Sequence, residues 1–123
     1  MSSNIAFDRR EQLEKIQSGL LPGEQVLAVY DAKGAGTGFI GLTDRRVILQ
    51  DNSFVGKKIA LTSIPYSKVS SVSMVTNKSF AGSFFSSSEV AVHVGTQTYQ
   101  IEMRDDQKGR HVHDLILHYI MAA

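Results

Sequence analysis

Glu89-Val90-Ala91-Val92-His93-Val94, Tyr99-Gln100-Ile101-Glu102-Met103-Arg104 and the residues after them contain a change of period that decides the fold. Val90, Val92 and Val94 alternate with Glu89, Ala91 and His93. Beyond a Gly95-Thr96-Gln97 turn, Tyr99, Ile101 and Met103 alternate with Gln100, Glu102 and Arg104. That is the period of two expected of paired, half-buried strands. Val112, Leu115, Ile116, Tyr119 and Ile120 then recur at i, i+3, i+4, i+7 and i+8, one face of a helix. Asp105-Asp106 suits the start of that helix, where the dipole is positive. Leu117 and Met121 fall on the opposite flank. They either touch another chain or stand exposed without a role.

Working back, strand-like period runs to Glu24. Residues 24–31, 37–42, 45–50, 58–62 and 71–75 read as five more strands. Ile59 and Leu61 are expected to face inward, and Val72 and Met74 alternate with Ser71 and Ser73. Seven short strands at close spacing signal an all-β sandwich or barrel. Ahead of them, Leu13, Ile16 and Leu20 give a thin helical stripe. Asp8 is the expected cap, with Glu11 as its reciprocal partner. A Glu11–Lys15 pair adds support, and Gly19 and Pro22-Gly23 provide the stop. Between the fifth and sixth strands, residues 79–88 are rich in Ser and Gly and read as a loop. It carries Phe80, Phe84 and Phe85. Those rings either tuck under the sheet edge or pack on a neighbouring subunit or ligand.

With 123 residues, one domain is expected. Residues 1–19 form a helical extension, 24–104 carry the strands and 106–121 the closing helix. The net charge of +1 argues against bulk electrostatic binding to nucleic acid or anionic membrane. Without cysteine there are no disulfides, thiol nucleophiles or cysteine-ligated metals. The start lacks the apolar core of a secretory signal, and the apolar stretch 112–123 is too short and interrupted to span a membrane. A cytoplasmic location is the expectation.

Three motifs add a family resemblance. Leu42-Thr43-Asp44-Arg45-Arg46-Val47-Ile48 resembles the "LT-x-R-R-hydrophobic" hairpin of bacterial pleckstrin homology (PH)-like domains. Ile64-Pro65-Tyr66-Ser67-Lys68-Val69 is similar to their "IPY-x-x-I/V" connector, and Leu21-Pro22-Gly23-Glu24 to their "L-x-x-G-E" opening. The resemblance covers residues 20–121. It implies a mainly β, strongly bent seven-stranded sandwich or partly open barrel, capped by a C-terminal helix and without enzymatic activity. It also suggests a closed cyclic homo-oligomer, with a pentamer as the suggested size. The motif residues Thr43, Asp44, Arg45, Ile64, Pro65 and Tyr66 have structural readings. Thr43 and Asp44 suit a tight turn, Pro65 belongs outside the middle of a sheet, and Tyr66 is expected as a packed ring with a wet hydroxyl.

Other chemistry finds little support. Phosphoinositide-binding PH domains present several basic residues after their first strand, whereas residues 31–38 offer only Lys33, which argues against that ligand. Gly34-Ala35-Gly36-Thr37-Gly38 precedes a strand rather than the helix that a phosphate loop needs. His111, Asp114 and His118 share a helical face with zinc-compatible chemistry, but a solvated face explains them too. His93 is expected at the surface. Arg45-Arg46 and Lys57-Lys58 read as a solvated strand rim or a site for an acidic partner. No catalytic set, cofactor or metal site is expected. The leading reading is a homo-oligomer that presents a surface to an unidentified protein partner, with Phe80, Phe84, Phe85, Leu117 and Met121 as contacts. The alternatives are a peripheral membrane module that binds anionic headgroups through Lys33 and Lys57-Lys58, and a metal-dependent enzyme or sensor using His111 and His118.

Overall fold

The computed structural model describes residues 5–32, 38–51, 59–79 and 82–122, with backbone alone for 77–79 and 82–86. Its elements run β1 (Ala6–Phe7), α1 (Arg10–Ser18), β2 (Val26–Asp31), β3 (Phe39–Thr43), β4 (Arg46–Asp51), β5 (Ala60–Pro65), a 3-10 turn (Tyr66–Lys68), β6 (Ser71–Ser79), β7 (Gly82–Val94), β8 (Gln97–Met103) and α2 (Asp106–Ala122). One sheet has the order β1-β2-β3-β4-β5 and the other β6-β7-β8. The expected bent sandwich with a closing helix is therefore present, and the seven expected strands are β2 to β8.

The inner faces of both sheets and α2 share the main core. Ala28, Tyr30, Ile40, Leu42, Val47 and Ile64 meet Val90, Val92, Ile101 and Met103 across the sandwich, with Val112 and Ile116 from α2 between them. All are buried, as the alternation at 89–104 and the helical stripe at 112–120 require. Asp105 caps α2: its Oδ1 accepts the Lys108 N–H at 2.8 Å.

The five-stranded sheet also buries much of its outer face. Leu13 and Ile16 of α1 pack there on Val26, Val29, Phe39 and Ile48. Ile16 lies over Gly41, where a Cβ would stand 2.7 Å from Ile16 Cδ1. Gly41 is thus the notch that lets α1 settle on the strands.

Four expectations need correction. Asp8 does not cap α1; Arg9 holds the cap position without a side-chain bond. Asp8 instead accepts the Asp31 N–H at 2.9 Å and Lys108 Nζ at 2.6 Å, because β1 runs parallel beside β2 and carries Asp8 to that corner. Glu11 pairs with Arg9, at 3.9 Å, rather than with Lys15. Ile59 and Leu61 point outward, 56% and 59% exposed. Pairing Val47 with Ile64 and Leu49 with Thr62 sets the register of β5, so Thr62 and Ile64 take the inner face. Finally, residues 82–88 are strand rather than loop: β6 and β7 continue pairing through Thr76–Ser88 and Asn77–Ser87 to Ser79–Gly82. Serine is compatible with a ladder made by the backbone.

A second close approach fixes α2. Gly109 is buried, and a Cβ there would overlap Ser88 Oγ, which donates to the Asp105 carbonyl at 2.9 Å. Gly109→Ala is expected to destabilise the protein by about 1–3 kcal/mol in urea unfolding. The loss should shrink in a Ser88→Gly background, where the obstructing side chain is gone.

Candidate functional site

The three motif segments meet at one buried charge pair. Thr43 ends β3, and its Oγ1 accepts the N–H groups of Arg45 and Arg46, both at 3.0 Å, which closes the turn into β4. The same hydroxyl donates to Glu24 Oε2 at 2.6 Å. Arg46 grips Glu24 with two bonds: Nε to Oε2 at 2.8 Å and Nη2 to Oε1 at 3.0 Å. Its remaining donors reach the Gly19 carbonyl and Ser63 Oγ, both at 3.0 Å. Glu24 Oε1 also accepts the Leu21 N–H at 2.9 Å. Asp44 Oδ1 accepts the Gln25 N–H, and Gln25 returns its carbonyl to Asp44. Pro65 ends β5 opposite Arg46. Ile64 is buried and Arg45 exposed.

This geometry corrects two expectations. The Tyr66 hydroxyl is dry: it donates to the Thr43 carbonyl at 2.7 Å, and its ring stacks on Tyr119 of α2 at 5.0 Å. Burial pushes its phenol well above the usual value. Arg46 is not part of a solvated rim, because it faces Glu24 across the α1–β2 connection. Lys57 and Lys58 lie outside the described residues, as do Lys33 and the rest of 33–37. Hydrogen bonding from Arg46 holds the Glu24 carboxyl down at about 2 against the cost of burial. With both carboxylate oxygens and four of the five guanidinium N–H groups bonded internally, this knot acts as a fastening.

Surfaces with unmet capacity lie elsewhere. Leu61 shares the outer sheet face with Phe39 and Ile48, but α1 stops short of it. Ile59 lies beside it, and β5 is a sheet edge. On α2, Leu117 is 40% and Met121 77% exposed. Phe84 and Phe85 lie on β7, with side chains outside the description, and Phe80 lies outside the described residues.

A groove of about 740 Å³ runs between β6 and the first half of α2. Met74 and Thr76 line one wall, and Asp106, Gln107, Arg110, His111 and Asp114 the other. His111 Nδ1 is 2.6 Å from the Tyr30 hydroxyl, and Lys108 bonds Asp8, so this end of α2 is tied to β2 and the N-terminal segment. The suggested histidine set is dispersed: His111 meets Tyr30, Asp114 takes His113 and Arg110, and His118 lies edge-on to Tyr119. No group of three metal-ligating side chains forms among the described residues. His93 bridges three strands by contacts to Ser73 Oγ and Thr98 Oγ1. The groove had no motif in the sequence; only the alternation of Val72 and Met74 hinted at one wall.

A family model described as "Bacterial PH domain" matches residues 1–120. The chain belongs to the bacterial PH domain family. The PH fold is also seen in two solved structures. A pleckstrin homology domain from Shewanella amazonensis is 20% identical, with a TM-score of 0.68, covering 93% of this chain and 99% of its own. A DUF1696-family protein with a pleckstrin-homology domain, from Shewanella loihica, is 18% identical with a TM-score of 0.61, covering 92% and 93%. Among curated proteins, none matches the chain. No helix among the described residues of this PH domain is long and apolar enough to cross a membrane.

The knot predicts an acid dependence. Because the folded carboxyl titrates near 2 rather than at its ordinary 4.5, Glu24 adds stability above the unfolded value. That contribution, about 3 kcal/mol, is lost as pH falls from about 5 towards 2. Urea unfolding of wild type should show this loss, and Glu24→Gln should lack that part of the slope. Tyr66→Phe should cost about 1–2 kcal/mol at neutral pH, since it leaves the Thr43 carbonyl without its donor.

Proposed function

We propose that this PH domain is a non-enzymatic binding and assembly module of the cytoplasm. Copies join head to tail into a closed cyclic homo-oligomer, with five copies as the expected size, and the ring presents a composite surface to a protein partner. The observation that carries this reading is the exposed apolar strip of Ile59 and Leu61 beside the edge of β5, which has no further strand partner among the described residues. It extends the face that α1 protects, so burying it continues an existing core. An open sheet edge is also a template for another chain. Leu117 and Met121 supply a second, different apolar surface. Contact between two different patches is heterologous, and a heterologous contact closes into a ring when its rotation divides the circle.

Light scattering on a sizing column tests the assembly. A single multimer that keeps its mass across a dilution series is expected; elution as a protomer would remove the ring. Leu61→Lys should lower the mass to that of the protomer while the circular dichroism stays unchanged. Phe84→Ser with Phe85→Ser should weaken the multimer if the β7 hairpin joins the interface, and an unchanged mass would take those residues out of it.

A further inference from the structure

The groove between β6 and α2 combines three features that the assembly reading does not use. First, β6 is an edge strand, and the outward backbone groups of residues 71–76 have no partner among the described residues. Six such residues expose an edge of about 20 Å. Second, α2 stands beside that edge and leaves the space between them open to solvent. Its position is fixed by Gly109 against Ser88, the Tyr30–His111 contact and the Lys108–Asp8 bond. Third, the groove wall carries a carboxylate with no ion pair among the described residues: Asp106 lines it half-buried, with Oδ1 shielded from solvent. The other charged groups there are engaged, Arg110 and His113 with Asp114 and His111 with Tyr30.

We propose that this groove docks an extended peptide segment bearing a cationic side chain, added as a further strand on β6. A peptide backbone matches the unpaired row of amides and carbonyls, which a compact small molecule does not. Side chains of an added strand alternate, so every second one turns towards α2. One of these meets Met74, an adaptable apolar contact. A lysine or arginine two residues along pairs with the Asp106 carboxylate. An acidic segment would bring a second negative charge to that carboxylate and is disfavoured. The groove lies within one copy of the chain, so peptide docking does not depend on ring formation.

The test uses the full chain and a short capped peptide that places valine, lysine and valine on one face and threonine on the other. Three controls accompany it: the same peptide with glutamate for lysine, the same peptide N-methylated at alternate amides, and the Asp106→Asn protein. Fluorescence anisotropy should give saturable binding of the lysine peptide, at least tenfold weaker binding of the glutamate and N-methylated forms, and about tenfold weaker binding to Asp106→Asn. Hydrogen exchange read by NMR should show added protection in residues 72–76 on binding. Absence of binding would overturn the proposal. Equal binding of the N-methylated peptide would also overturn it, since attraction would then be through charge alone. So would protection of residues 72–76 that is already complete without peptide, because a second copy would then occupy the edge. These readouts on the native protein do not require any variant to fold, and native mass reports separately on assembly.

Discussion

Glu24 and Arg46 form a charge pair largely withdrawn from water, and the ends of the first sheet are fastened to it. A buried carboxylate without compensation is costly, and its guanidinium partner offsets that cost only when the remaining donors and acceptors are also used. Here they are used, by Gly19, Leu21, Thr43 and Ser63. The α1–β2 connection, the β3–β4 turn and β5 therefore share one centre. Tyr66 joins through the Thr43 carbonyl and passes the restraint to α2 by stacking on Tyr119. The pair holds several segments in one arrangement, which gives it a larger role than an isolated surface ion pair would have.

Two glycines decide how closely the helices approach. Gly41 receives Ile16 on the outer face, and Gly109 lets α2 meet Ser88 on the other sheet. Between them the two sheets are closed where the helices lie and left open beyond. The open places are specific: the β5 strip lies just past the reach of α1, and the β6 edge lies beside α2. A nine-residue α1 cannot cover every strand of its sheet. Uncovered apolar surface and unpaired backbone are thus products of helix length and placement, and they are the features on which assembly and peptide docking are proposed.

The acidic and basic groups near α2 illustrate why composition said little about a site. A net charge of +1 conceals a corner where Asp8, Lys108, Asp31 and Arg104 pair across the chain. Asp31 alone gathers Gln12 and Arg104 from opposite ends of the sequence. The spacing of histidines on α2 suggested a shared face, yet each ring meets a different neighbour. One-dimensional spacing places side chains on a helix and leaves open what packs against it.

The sequence by itself determined a succession of seven strands, the closing helix and its buried stripe. Those follow from short-range periodicity, which a strand or helix must display to bury one face. Thr43, Pro65 and Gly95 marked their turns because side-chain bonding, a fixed φ and a positive φ of 61° are local properties. Tertiary structure alone decided the facing of Ile59 and Leu61, since the register belongs to the β4–β5 pair and not to β5. It also decided that serine-rich residues 82–88 pair as strand, that Asp8 serves β2 and α2 rather than α1, and that half-buried Arg46 pairs with buried Glu24. The groove on β6 required both the sheet edge and the helix beside it. Its walls lie some thirty residues apart in the chain, at Met74 and Asp106, so no local pattern could encode their meeting.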